Sequence, residues 1–89
     1  MASRRVELVN RLGLHARAAA KLVHVAARFR SQISVRHNDH EVNGKSILGL
    51  LLLAAPCGSR LELIAEGDDQ EEALAALEAL VAERFGEGE

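Results

Sequence analysis

Aromatic residues and cysteines are scarce in this chain. It has no tryptophan or tyrosine, and its two aromatic residues are Phe29 and Phe85. Proteins that recognise single-stranded nucleic acid stack the bases on aromatic side chains set among basic ones, so we expect no nucleic-acid partner. The single cysteine, Cys57, has no second cysteine with which to form an internal disulfide, and a reducing compartment is therefore the simpler assumption.

Long apolar segments are also lacking. The first ten residues contain no apolar run of the kind found in signal peptides, and the longest apolar stretch, residues 47–56, is about half a membrane span. We expect a cytoplasmic protein that does not insert into membranes. With 89 residues, nearly half of them apolar, the chain provides one small core. We expect residues 1–89 to form a single domain and the protein to be a monomer.

Charge is distributed unevenly, although the net charge is only −2. Residues 1–45 carry nine Lys or Arg and three acidic residues, a charge of +6, whereas residues 46–89 carry two and ten, a charge of −8. A basic half favours an anionic ligand or an acidic protein partner.

Hydrophobic periodicity predicts the element order β-α-β-β-α-β-α. Strands are predicted at residues 3–9, around residues 33–35, at residues 41–43 and at residues 60–66. Helices are predicted from His15 or Ala16, from the Gly44-Lys45-Ser46 segment to about Leu53, and after Gly67-Asp68-Asp69. Alternating strands are typical of a sheet covered on one face, which indicates a two-layer α+β fold with all helices on one side.

The first and last predicted helices are amphipathic. In the first, Arg17, Lys21, His24 and Arg28 are spaced by four, three and four residues, which predicts a basic solvent face. Its buried face is predicted to comprise Ala19, Ala20, Val23, Ala26 and Ala27. In the last, Asp69 and Glu72 have the separation of a capping box. Its buried stripe is predicted to comprise Leu74, Leu77, Val81 and Phe85.

The second predicted helix is apolar around almost its whole circumference, with Ile47, Leu48 and the run Leu50 to Leu53. A helix lying on one sheet buries only about half its circumference. Either neighbouring helices cover the remaining side chains or they form a docking patch for a partner. We favour docking, with Ile47, Leu48 and Leu51 contacting the partner beside Lys21 and His24.

His15 lies where the first helix begins. A helix start presents unpaired backbone N–H groups and the positive end of the helix dipole, so the amides of Ala16, Arg17 and Ala18 are predicted to bind an anion. The same field disfavours imidazolium, and a neutral His15 is a nucleophile that needs no general base. Arg17 supplies a guanidinium that bridges to phosphoryl oxygens. The alternative is a capping histidine without chemistry, although histidine is a poor cap.

No metal site is predicted. His37 and His40 have a His-x-x-His spacing, but they flank a predicted turn and have no cysteine or carboxylate partners in a suitable pattern.

The segment Gly13-Leu14-His15-Ala16-Arg17 with Ala19, followed about thirty residues later by Lys45-Ser46 heading an apolar helix, resembles the HPr family. These are the histidine phosphocarriers of the bacterial phosphoenolpyruvate-dependent phosphotransferase system. The resemblance implies an open-faced sandwich in which three helices cover a four-stranded antiparallel sheet. It also implies that His15 accepts a phosphoryl group on Nδ1 from enzyme I and passes it to a IIA component, and that Arg17 helps to hold it.

The resemblance implies a carrier rather than an independent turnover enzyme, with no cofactor. It further implies that a dedicated serine kinase and phosphorylase act on Ser46 in some bacteria, although an N-cap serine is a sufficient structural explanation for this residue. The chain departs from the family at Ala18, where proline is usual. Alanine is a good helix former, so we expect the helix to persist with one additional N–H near the phosphate.

Two branches of the system remain open, carbohydrate uptake and a nitrogen-related regulatory branch. The Leu12-Gly13-Leu14 segment and the Phe85-Gly86-Glu87 tail favour the regulatory branch slightly, whereas Lys45-Ser46 favours the kinase-regulated carriers. A third alternative is a binding module that senses an anion at the helix start without transferring it.

Overall fold

The computed structural model describes residues 1–86, and Glu87 of the tail segment lies outside them. The order of the elements confirms the one predicted. They are β1 (Ala2–Glu7), α1 (Ala16–Ala26), β2 (Gln32–His37), β3 (His40–Asn43), α2 (Ile47–Leu52), β4 (Arg60–Glu66), α3 (Gln70–Ala82) and a 3₁₀ turn, Arg84–Gly86.

The four strands form one antiparallel sheet in the order β1-β4-β2-β3. Strand β4 is central, since Leu63 is the register partner of Arg4 in β1 and of Val35 in β2. The four-stranded antiparallel sheet implied by the family resemblance is therefore confirmed. The pairing of β1 with β4 joins two strands that are more than fifty residues apart in the sequence.

The helices cover one face of the sheet. Along β4 the side chains of Leu61, Leu63 and Ala65 are buried, while Glu62 and Ile64 point to the opposite face and are half-buried. Helix α3 lies over β1 and β4, α2 contacts β3, and α1 packs against both other helices. The alternation of strand residues thus produces an open-faced sandwich.

One strand boundary and one helix face differ from the sequence prediction. Strand β1 ends at Glu7, although Leu8 continues beside β4 through backbone bonds to Ser59 and Gly58. In α1 the predicted face is wrong at Ala20 and Ala27, which are exposed, and Val23 is only half-buried. The buried residues of α1 are Ala18, Ala19, Leu22 and Ala26. Leu22 is the largest of these buried side chains, and its burial in the core determines which face of α1 points inward.

The capping box predicted for α3 is wrong. Asp69 occupies the N-cap position, but its side chain makes no capping hydrogen bond. Its carboxylate accepts instead from the backbone N–H groups of Arg30 at 2.8 Å and Ser31 at 3.0 Å, and from the Ser31 hydroxyl at 2.5 Å. The Ser31 hydroxyl, followed by the Arg30 N–H, lowers the pKa of Asp69 to about 2. Asp69 therefore joins the start of α3 to the loop before β2.

The predicted buried stripe of α3 is confirmed. Leu74, Leu77 and Val81 are buried, and so is Phe85 in the 3₁₀ turn that follows the helix. Arg4 of β1 also holds α3, since its guanidinium lies 2.7 Å from Glu78 and 3.6 Å from Glu71. The turn at Phe85 brings the end of the described chain next to α1.

Candidate functional site

His15 is the N-cap residue of α1, so the helix begins at Ala16 as predicted. Its backbone is extended, with φ −79° and ψ 178°, and its Nδ1 atom accepts a hydrogen bond from the Arg17 N–H at 3.3 Å. An imidazole nitrogen that accepts carries a lone pair, which places the proton of the neutral ring on Nε2. His15 therefore caps the helix through the nitrogen that the family resemblance assigns to phosphoryl transfer.

The first turn of α1 provides donors beside this ring. The first bond of the helical ladder runs from the Ala19 N–H to the His15 carbonyl at 2.8 Å, so the amides of Ala16, Arg17 and Ala18 precede the ladder. Arg17 is exposed, whereas the Ala18 side chain is fully buried. The alanine leaves the helix start intact, as expected, and contributes a methyl group to the core.

The loop before His15 is fixed against the segment that follows α2. The Leu14 N–H donates to the Ala55 carbonyl at 2.9 Å. Gly13 has a φ of +65°, and a Cβ atom there would lie 2.5 Å from the Ala55 carbonyl oxygen and 2.8 Å from Pro56. Only glycine fits this combination of dihedral angle and close approach. The entry to α1 is thus held by two contacts with residues 55–56.

Three of the four basic residues predicted for the solvent face of the first helix are exposed, although Arg28 lies just beyond the end of α1 at Ala26. Arg17, His24 and Arg28 are exposed, which confirms that part of the prediction. Lys21 differs, because it is half-buried and its ammonium donates to the Phe85 carbonyl at 2.6 Å. Lys21 therefore holds the C-terminal turn against α1.

Helix α2 exposes four apolar side chains, which we call the apolar patch. The interpretation that neighbouring helices cover them is wrong, since only Leu50 of the helix and Leu53 after it are buried. Because α1 and α2 pack against each other, the patch adjoins the helix that carries His15. The exposed fractions of the patch residues are 43% for Ile47, 68% for Leu48, 37% for Leu51 and 74% for Leu52.

Leu12 is a further exposed apolar residue that the sequence reasoning did not assign to a surface. It is 60% exposed in the loop before His15. Leu12 lies between Arg11 and Gly13, outside any predicted helix or strand, and this position could have indicated that its side chain is exposed.

Ser46 is the N-cap of α2, as predicted. Its hydroxyl oxygen accepts a hydrogen bond from the Gly49 N–H at 3.0 Å, and the residue is half-buried. The ammonium of the preceding residue, Lys45, donates to the Phe29 carbonyl at 2.8 Å. Ser46 is therefore the polar group immediately next to the apolar patch.

His37 and His40 are register partners at the β2–β3 hairpin. Within residues 1–86, no group of three or more His, Cys, Asp or Glu side chains is arranged to hold a metal ion. In the same part of the chain, none of the helices has the length and apolar character needed to cross a membrane.

Comparisons with known proteins agree on one family. The family model described as "PTS HPr component phosphorylation site" matches residues 2–83. The chain is 49% identical to phosphocarrier protein HPr of Cupriavidus necator over 89 residues, which is all of both chains. A crystal structure of HPr from Thermoanaerobacter tengcongensis, 46% identical, superposes with a TM-score of 0.94 over 98% of both chains. An HPr dimer from the same organism, also 46% identical, has a TM-score of 0.79 and covers 98% of this chain and 100% of its own.

Proposed function

The chain belongs to the HPr family of phosphocarriers of the phosphotransferase system, and from this membership we propose that His15 is the residue that carries the phosphoryl group. In the proposed cycle His15 receives it from phosphorylated enzyme I and gives it to a IIA component in the cytoplasm. The observation that supports this most directly is the position of Nδ1, which faces the Arg17 amide at the start of α1.

Transfer to Nδ1 is an in-line displacement. The lone pair of Nδ1 attacks phosphorus, the Nδ1–P bond forms as the donor's bond to phosphorus breaks, and the donor leaves with that electron pair. Charge in the loose transition state lies on the equatorial oxygens. The backbone N–H groups of Ala16, Arg17 and Ala18 donate hydrogen bonds to these oxygens. The Arg17 N–H then donates to a phosphoryl oxygen instead of to Nδ1.

Arg17 has a second role through its side chain. Its guanidinium is exposed, so it is able to bridge to the phosphoryl dianion before and after transfer. No cofactor or metal takes part in this scheme. The protein acts as a stoichiometric intermediate between donor and acceptor and is not a turnover enzyme by itself.

The partners of this transfer have surfaces that complement α1 and α2. The exposed guanidinium groups of Arg17 and Arg28, with His24 between them in sequence, favour acidic partner surfaces. The apolar patch supplies contiguous apolar area of the kind found at protein interfaces. We propose that a monomer docks through Ile47, Leu48 and Leu51, with His24 and the aliphatic stem of Lys21 at the rim.

Ser46 phosphorylation by a serine kinase, and its reversal by a phosphorylase, would regulate this docking. A phosphate there adds a charge of about −2 next to the apolar patch, where it repels acidic partners and opposes burial of the patch. The helix tolerates the group, because the N-terminus of α2 favours an anion. The proposed effect is therefore on association and not on the fold.

A labelling experiment tests the proposed role of His15. The protein is incubated with enzyme I and radiolabelled phosphoenolpyruvate, and the label is expected to be labile in acid and stable in base. His15→Ala is expected to acquire none, and His40→Ala, altered at an exposed histidine of β3, is expected to acquire a full equivalent. Label retained in His15→Ala would refute the assignment of the site.

The same assay addresses the alternative functions. A pure anion-sensing module would acquire no label from enzyme I under any condition. The labelled protein is then mixed with a sugar-permease IIA protein and, separately, with the regulatory IIA protein. The IIA protein that accepts the label faster distinguishes carbohydrate uptake from the nitrogen-related branch.

A further inference from the structure

A buried polar side chain lies in the loop between β1 and α1. Asn10 is fully buried, and its Nδ2 atom donates a hydrogen bond to the Gly13 carbonyl at 2.7 Å. The Gly13 N–H donates back to the Asn10 carbonyl at 3.1 Å. Burying a carboxamide costs free energy unless it is hydrogen-bonded. The bond to the Gly13 carbonyl offsets this cost, so the turn requires a donor in the side chain at residue 10.

The turn is held on its other side as well. Gly13 is pressed against the carbonyl of Ala55, and the Leu14 N–H donates to the same carbonyl at 2.9 Å. Upstream, Leu8 is fixed by backbone bonds to residues 58 and 59 at 2.7 and 2.9 Å. The chain from Leu8 to Leu14 is therefore anchored at three points directly before His15. Asn10 anchors it through a side chain.

We propose that Asn10 is a positioning residue for phosphoryl transfer at His15. Its carboxamide fixes the Gly13 peptide, and this in turn sets the backbone direction from which His15 enters α1. That direction determines where Nδ1 lies relative to the amides of the first turn. This proposal rests on the proposed carrier function. A displacement of Nδ1 by about 1 Å would greatly slow in-line transfer but would change overall stability little.

A matched pair of variants separates positioning from stability. Asn10→Ala removes the donor to Gly13, and Asn10→Ser keeps a hydroxyl donor that lies nearer the backbone. Ser31→Ala is the control, since Ser31 is also a buried polar residue, 1% exposed, whose partner Asp69 lies in another part of the fold. All variants are compared at a temperature where urea titration shows each to be folded.

The first measurement is the rate of phosphoryl uptake from phosphorylated enzyme I as a function of carrier concentration. Asn10→Ala is expected to lower the saturating rate about tenfold with an unchanged half-saturation concentration, because docking surfaces are intact and only the geometry at Nδ1 is lost. Asn10→Ser is expected to recover part of the rate, and Ser31→Ala to leave it unchanged. Equal rates for Asn10→Ala and the parent, or an equal loss in Ser31→Ala, would overturn the proposal.

A second measurement does not require transfer. NMR shifts of the His15 ring nitrogens and of the Arg17 amide are expected to change in Asn10→Ala and to remain unchanged in Ser31→Ala. If the parent acquires no label but these shifts move as expected, the carrier function fails while the structural role of Asn10 stands. If the shifts do not move, Asn10 does not position the ring, whatever the labelling result.

Discussion

The Arg17 N–H donates to Nδ1 of His15 at 3.3 Å, so the ring nitrogen that caps α1 is also the one aimed at the helix start. This distance is long for a hydrogen bond between nitrogen atoms, and the bond is correspondingly weak. A phosphoryl oxygen is a better acceptor than Nδ1 because charge-assisted bonds are stronger. In the proposed cycle, phosphorylation of His15 would therefore replace a weak capping bond with a stronger bond to the same amide.

Replacing Arg17 tests whether its guanidinium acts in transfer. Arg17→Ala is expected to slow phosphoryl uptake about a hundredfold, since it removes a charged donor from the transition-state oxygens. Arg28→Ala removes the same charge at a second exposed arginine and is expected to reduce mainly the association rate, with a strong salt dependence. Rapid-quench kinetics at two ionic strengths measures both. If the two variants have indistinguishable effects, Arg17 acts only by electrostatic steering of association and not in the transfer step.

Gly13 is expected to be a sensitive position for stability. Gly13→Ala combines a left-handed backbone with a Cβ atom 2.5 Å from the Ala55 carbonyl oxygen, and should lower the free energy of unfolding by about 2–4 kcal/mol. Gly58 provides the matched control. Its φ is +90°, but no atom lies within 4 Å of an added Cβ, so Gly58→Ala should lose only about 1–2 kcal/mol. Urea titration of both variants gives the difference, and equal losses would contradict the close-packing argument.

Asp69 should make stability depend on pH in acid. Its pKa is lowered from 3.8 to about 2 by the bonds from Ser31 and Arg30. The unfolded chain therefore binds more protons between about pH 2 and pH 4, so stability is fully present above that window and is lost as pH falls through it. Asp69→Asn should flatten this dependence and lower stability at neutral pH. Urea titration across the window measures both effects.

The control for Asp69 is Asp68→Asn, since Asp68 is its exposed neighbour in the same turn. This variant should retain the acid dependence of the parent. A parent-like slope in Asp69→Asn would show that these hydrogen bonds do not account for the acid sensitivity.

Substitutions at Ser46 separate helix capping from regulation. Ser46→Ala removes the acceptor for the Gly49 N–H and should cost about 1 kcal/mol of stability, whereas Ser46→Asp keeps a capping oxygen and should cost less. Binding to enzyme I should show the reverse order, with Ser46→Asp weaker than Ser46→Ala because of the added charge. Thermal unfolding and calorimetric titration provide the two readouts. Undiminished binding of Ser46→Asp would leave the regulatory proposal without a physical basis.

The apolar patch should contribute to binding and not to folding. Leu48 is 68% exposed, so Leu48→Ala should change stability by less than about 0.5 kcal/mol while weakening the complex with enzyme I by more than about 1 kcal/mol. Leu50 lies in the same helix but is fully buried, and Leu50→Ala should cost about 2–5 kcal/mol of stability. Parent-like affinity of Leu48→Ala would exclude its part of the patch from the interface.

Hydrophobic periodicity predicted the buried face of an element well where large apolar residues alternate with polar ones. The alternation of Leu61, Leu63 and Ala65 identified the buried face of β4, and the stripe through Leu74 and Phe85 identified that of α3. The face of α1 was less well predicted because alanine is equally acceptable on either side of a helix. There the core position of Leu22 decided the rotation.

The interactions that were missed connect segments distant in sequence. Asp69 was predicted to cap its own helix, but its carboxylate binds residues 30 and 31. Lys21 was assigned to the surface, but its ammonium reaches the Phe85 carbonyl. A polar side chain takes whichever unsatisfied partner the fold brings near it, and spacing along the chain does not reveal that partner.

The sequence by itself determined the order of the elements, the helix start at His15 and Ala16, and the apolar surplus of α2, because each follows from local periodicity or capping. Only the tertiary structure decided the strand order, the burial of Asn10 and the seating of Gly13 on residues 55–56. These features depend on contacts between distant segments. Local preference places a histidine at a helix start, but long-range packing holds the loop through which the chain enters that helix.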